Sequence, residues 1–178
     1  MLSLIGYRGT GKSTVGMRLA KRLKWDWLDA DNELEQRVGR TIKEIFATDG
    51  EPTFRQMERE VLADLLKRDR LVLSTGGGCI INADTRRDLI AAGPVVWLVA
   101  PIETIANRVL HDSTTKRRRP NLTATGGIEE IRMVMAAREA FYRECATITI
   151  DTEGLSLRDV VARIVTQLPT EMIEEARP

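Results

Sequence analysis

Residues 6–13, Gly6-Tyr7-Arg8-Gly9-Thr10-Gly11-Lys12-Ser13, satisfy the pattern G-x-x-x-x-G-K-[ST]. A strand-like run, Leu2–Gly6, leads into them and a helical pattern from Lys12 to about Leu23 leads out. No other feature constrains the fold as much. A loop that turns from a buried strand directly into a helix aims several backbone amides, and the positive end of the helix dipole, at one point, and that point suits a polyphosphate. Lys12 can bridge the terminal phosphates and Ser13 can offer its hydroxyl to Mg²⁺. Gly9, Thr10, Gly11, Lys12, Ser13 and Thr14 are thus the candidate nucleotide ligands. Guanine recognition through N-K-x-D is excluded, because Asn32, Asn82, Asn107 and Asn121 are followed by Glu, Ala, Arg and Leu. A small-molecule kinase, an ATP-driven machine and a nucleotide-dependent regulator stay open, although a machine usually needs more chain than 178 residues.

The strand–helix alternation continues. Trp25–Leu28, Leu71–Ser74, Val95–Val99 and Thr147–Ile150 are further strand-like runs separated by helical patterns. Five such strands predict an α/β fold with a parallel sheet covered on both faces. Thr41-x-x-Glu44 is a capping-box signature opening a helix at Ile42–Thr48, and Pro52 suits the first turn of a long helix to about Arg68. Ser156 can cap a last helix ending near Leu168, with a frayed tail beyond Pro169. The length suits one domain, residues 1–170, followed by a tail at 171–178. From His111 to Gly127 periodicity gives way to Ser, Thr, Lys, Arg, Pro and Asn, a long loop of the kind that is functional or disordered.

Composition removes several functions. A net charge of +1 supplies no field for nucleic acid, so any anion site must be local. Two cysteines and one histidine are too few for a disulfide scaffold or a thiolate or imidazole zinc site, and a reducing cytoplasm is expected. No run approaches the length of a membrane span.

The acceptor side must face the phosphate loop across the carboxyl ends of the strands. Asp29 and Asp31 follow the second strand: Asp29 could hold a water of the Mg²⁺ shell, and Asp31 could take a proton from an acceptor hydroxyl or merely cap the next helix. Arg55 and Glu58 share a helix face, either as an exposed ion pair or as a fixed guanidinium aimed at a ligand. Gly76-Gly77-Gly78 after the third strand permits close backbone approach to a ligand, or a simple bend. Trp25, Trp27, Trp97, Cys79 and Cys145 are read as packing groups.

With these residues in hand, the chain resembles the shikimate kinase family over nearly its full length. The phosphate loop, Asp29-x-Asp31, Gly39-Arg-Thr-Ile-Lys-Glu-Ile-Phe46, Phe54-Arg55 with Glu58, the triple glycine, and Arg119-Pro120-x-Leu122 carry the resemblance in order and spacing. It implies transfer of the ATP γ-phosphate to the 3-hydroxyl of shikimate by a cytoplasmic monomer. The implied fold is the three-layer P-loop, nucleoside-monophosphate-kinase-like one, with a substrate-binding segment at about 31–61 and a mobile lid at about 111–126. By motif position, Lys12, Asp31 and Arg119 would be catalytic, Ser13 and Asp29 would serve Mg²⁺, and Arg108 and Arg119 would reach ATP. Asp31, Phe46, Phe54, Arg55, Glu58, Gly76, Gly77 (through its amide), Gly78 and Arg138 would hold shikimate. The stretch from Arg108 to Arg119 is longer and more basic than the common family lid, so no role is carried to Lys116, Arg117 or Arg118; Leu157 stands where the family often has proline. The alternatives are another small-metabolite kinase, such as one for gluconate, and a regulator that binds ATP without turnover.

Overall fold

A computed structural model of the chain describes residues 1–111 and 127–174. Strands β1 (Leu2–Ile5), β3 (Leu71–Ser74) and β4 (Val95–Val99) are almost continuously apolar and buried, as strands covered on both faces must be. β2 (Asp26–Asp29) and β5 (Ile148–Asp151) are more exposed and form the two edges. The order is β2-β3-β1-β4-β5 and every pairing is parallel, as expected. Leu4 and Asp29 both lie opposite Ser74, which brings the carboxyl ends of β1, β2 and β3 to one rim.

On one face, α1 (Lys12–Leu23) and α8 (Leu157–Gln167) bury Val15, Leu19, Val160 and Ile164 against Leu4, Val96 and Ile150. The opposite face is covered by α2 (Ala30–Val38), α3 (Ile42–Thr48), α4 (Gly50–Leu65), α5 (Ala83–Ala92) and α7 (Gly127–Cys145). Their residues Leu34, Ile45, Phe54, Leu62, Leu89 and Tyr142 pack with Leu73 and Trp97. A third cluster, beneath α6 (Ile102–His111) and α7, joins Tyr7, Ala100, Ile105 and Ile131.

The capping box at Thr41 is present, and Ser156 caps α8 by accepting from the Asp159 amide. The outer strands begin one residue later than expected. At β2 the cause is local: Lys24 closes α1 in the left-handed region at φ 56°, and the Trp25 amide still donates to Ala20 O, so the chain extends only from Asp26. α4 begins at Gly50 and stops at Leu65, short of Arg68, where the Lys67 and Arg68 amides turn back onto Asp64 O and Leu65 O. The expected fraying after Pro169 is corrected over residues 170–174; residues 175–178 lie outside the described residues. Thr170–Glu174 form a short helix, α9, whose Met172 and Ile173 pack against the apolar cluster on the α1/α8 face of the sheet.

Candidate active site

The phosphate loop closes on itself. Thr10 donates to Tyr7 O through its amide (3.3 Å) and its hydroxyl (2.8 Å), and Lys12 Nζ donates to Gly6 O (2.8 Å) and Tyr7 O (2.9 Å). Gly11 precedes α1 with φ 93°, a left-handed conformation costly for a residue with Cβ. Lys12 is therefore buried and directed along the inside of the loop, where a terminal phosphate would meet it.

Ser13, the next residue of α1, donates from Oγ to Asp29 Oδ2 at 2.7 Å. Asp29 is also the cap of α2, its Oδ1 accepting from the amides of Asp31 (3.1 Å) and Asn32 (3.4 Å). The alternative of Asp31 as cap is thereby excluded: Asp31 lies inside the first turn of α2. Burial, and then the neighbouring Asp31, hold the Asp29 carboxyl above its ordinary 3.8. A hydroxyl beside a carboxylate is a donor set for a hard cation. Among the described residues no cluster of three or more His, Cys, Asp or Glu could hold a metal alone. Ser13 and Asp29 could serve as protein partners of a divalent cation whose remaining ligands come from elsewhere.

The Arg55–Glu58 pair on α4 is not an exposed one. Arg55 Nη1 donates to Glu58 Oε2 at 2.7 Å and its Nη2 to Glu51 Oε1 at 2.9 Å, and Glu58 is 5% exposed. Burial opposes the guanidinium charge, but Glu58 and Glu51 outweigh it and leave Arg55 protonated more firmly than usual. The planar group lies flat over Gly78, where a Cβ would sit 2.6 Å from both terminal nitrogens. Arg55 also covers the Phe54 ring, Cζ to centroid 5.1 Å, and Phe54 packs against Phe46 at 4.7 Å between centroids. Phe54 is almost wholly buried, whereas Phe46 is only partly so.

Gly77 is the junction of the two halves. A Cβ there would lie 3.2 Å from Gly6 O and 3.3 Å from the Arg8 amide, so the glycine loop packs directly on the phosphate loop. Its carbonyl accepts from Arg138 Nη1 (3.2 Å) and Tyr142 Oη (2.6 Å), both on α7. The resemblance implied a role for the amide of Gly77; the bonds seen here engage its carbonyl. Arg108 Nη1 donates to Gly9 O at 3.2 Å, against the phosphate loop. Arg119, with Lys116, Arg117, Arg118 and the rest of residues 112–126 of the expected lid, lies outside the described residues, while His111, expected to open the lid, ends α6.

Tyr142, Glu51 and the buried pair Arg8–Glu130 escaped the sequence reading. Tyr142 was within reach of it, standing four residues after Arg138 on one helix face. Nothing in sequence pairs residues 8 and 130. Cys79 and Cys145 are buried as expected; burial, the main cause in each, pushes the thiols up to about 12 and about 11.

The profile of the family described as shikimate kinase matches residues 8–169. A shikimate kinase from Francisella philomiragia is 40% identical over 171 residues, 96% of this chain and 95% of that one. The chain belongs to the shikimate kinase family. A shikimate kinase from Acinetobacter baumannii, solved in complex with shikimate, superposes with a TM-score of 0.87 at 38% identity, covering 93% of this chain and 90% of that one. A gluconokinase from Sinorhizobium meliloti shares only the fold, at 16% identity and TM-score 0.55 over 98% of this chain and 90% of that one. Of the kinase readings left open by sequence, the shikimate kinase one is favoured over the gluconate one.

Proposed function

We propose that this chain transfers the γ-phosphoryl group of ATP to the 3-hydroxyl of shikimate. The observation that carries the reading is the double use of the glycine loop: Gly77 rests on the phosphate loop while Arg138 and Arg55 meet the same loop at Gly77 and Gly78. A carboxylate-bearing ring held by two guanidiniums would thus lie beside the terminal phosphate, where planar donors match a carboxylate and acidic side chains match hydroxyls.

In this mechanism Lys12 and the loop amides hold the β- and γ-phosphates, with Ser13 and Asp29 toward Mg²⁺, which neutralises phosphate charge when bound. Arg55, Arg138 and the backbone of Gly76, Gly77 and Gly78 fix the ring, Glu58 holds Arg55, and Phe46 and Phe54 form the apolar wall. Asp31 accepts the proton of the attacking hydroxyl as its oxygen bonds to phosphorus and the bond to the ADP oxygen breaks. Arg119, by its motif position, would serve the phosphates, a role worth about 10³–10⁵ in rate in comparable transfers. Arg108 serves the nucleotide. Residues 1–170 act as one catalytic unit, monomeric and cytoplasmic; the buried free thiols suit a reducing compartment.

The test is a coupled ADP-release assay with shikimate and gluconate as rival acceptors. ADP release with shikimate, abolished by a chelator and restored by Mg²⁺, is expected. Turnover of gluconate but not shikimate, or ATP binding with no turnover, would defeat the proposal.

A further inference from the structure

Glu130, in the first turn of α7, is wholly buried, and its Oε1 accepts from Arg8 Nη2 at 2.7 Å; the Arg8 side chain is 13% exposed. A pair this sheltered contributes little net stability, because desolvation offsets the attraction. Its geometric effect is larger. Arg8 is the third residue of the phosphate loop, and its neighbour Tyr7 carries the carbonyl on which that loop closes through Thr10 and Lys12. The Tyr7 ring packs in one cluster with Ile131, the residue after Glu130. One turn of α7 thus grips two successive loop residues, one by charge and one by packing. About 12 and about 18 Å further along the same helix, at 1.5 Å per residue, Arg138 and Tyr142 grip Gly77.

We propose that Glu130 is a positioning residue for the nucleotide: through Arg8 it fixes the backbone of the phosphate loop in its phosphate-receiving form and ties that loop to the helix bearing Arg138. The inference rests on reading Gly6–Ser13 as the nucleotide site. Glu130 touches no reacting atom, so its effect should appear in nucleotide affinity more than in the chemical step.

The test titrates Mg²⁺–ADP calorimetrically into the full chain, with no acceptor present, and follows thermal unfolding in parallel. Glu130→Gln keeps shape and loses charge; R8M/E130L replaces the pair by apolar groups that keep the packing. Both are expected to weaken ADP by about 5- to 20-fold, and the double variant is expected to do so with an unfolding midpoint at or above wild type. The KM for ATP should rise with it, while the KM for shikimate stays within about twofold. Wild-type ADP affinity in either folded variant overturns the proposal, and so does failure of both to fold, which would make the pair a stability element. If one fails to fold, the other decides. A wild-type chain that binds no ADP would instead defeat the nucleotide reading itself.

Discussion

Gly78→Ala separates the two accounts of Arg55, as ligand holder and as structural partner of Glu58. Gly78 has φ −108° and ψ −5°, so alanine brings no backbone strain. The new methyl would meet Arg55 Nη1 and Nη2 at 2.6 Å and Cζ at 2.9 Å, whereas ordinary contact begins at 3.4 Å. The guanidinium must therefore yield by about 0.8 Å or more, and it can, being the far end of a flexible side chain. Such a move loosens its 2.7 Å bond to Glu58, whose carboxylate is 5% exposed. Weakening that bond costs about 1–3 kcal/mol, which for a chain of this size lowers the unfolding midpoint by roughly 2–12 °C and leaves it folded. Displacement of a positioning group by about 1 Å can cost on the order of 10²-fold. Initial rates with varied shikimate at saturating ATP should thus show kcat/KM down by about 10²-fold, mostly through KM, with the KM for ATP unmoved. A lowered midpoint with an unchanged shikimate KM would refute the reasoning and reduce Arg55 to a partner of Glu58.

Asp31→Asn should lower kcat by about 10²–10⁴ while Mg²⁺–ADP binding, read by calorimetry, stays near wild type; near-normal turnover would remove Asp31 from the chemistry. In Tyr142→Phe the carbonyl of Gly77 loses its 2.6 Å donor and keeps the 3.2 Å one from Arg138. A loss of about 1 kcal/mol in denaturant unfolding and a few-fold rise in the KM for shikimate are expected; no change in either would make this bond idle. Asp29 is raised above its ordinary 3.8, so the folded protein holds that proton more tightly than the unfolded chain, and the carboxylate costs stability once the pH exceeds the unfolded value. Asp29→Asn keeps the helix cap and should therefore unfold at a higher temperature than wild type near pH 7, with the gap closing in acid; a gap that widened on acidification would show the sign to be wrong.

Much of this was legible in sequence because its causes are local. Three apolar runs needed cover on both faces, so the parallel sheet followed from β1, β3 and β4. The capping box at Thr41 specified its own helix, as did the glycines before Lys12. Asp29 shows where local reasoning stops. A D-x-D after a strand allows either carboxylate to cap, and the register opposite Ser74, which sets Asp29 against Ser13, is a long-range fact. Arg55 shows the same limit: the i, i+3 spacing to Glu58 was visible, but its burial depends on Gly78, twenty-three residues away. Residues 170–174 departed from expectation for the converse reason, since Met172 and Ile173 pack against a distant apolar cluster, which composition after Pro169 does not announce.

A net charge of +1 says nothing of how charge is placed, and under the proposed function placement would select the ligand. Lys12 occupies the phosphate end, Arg55 and Arg138 meet the glycine loop, and Asp29 and Asp31 follow β2 on the same rim. Cations at two poles with acids beside them impose a direction on any acceptor: its anionic group toward the guanidiniums, its hydroxyl toward the phosphate. An analogue lacking the carboxylate would leave two partly buried guanidiniums without their ligand, and such a site rejects analogues by orders of magnitude rather than by small factors. A wall of apolar residues alone could not do this, since one methylene discriminates by only about 10–200-fold. On this reading selectivity resides in the pair Arg55 and Arg138, and the glycine loop, which lets both approach without a side chain in the way, is what allows the pair to form.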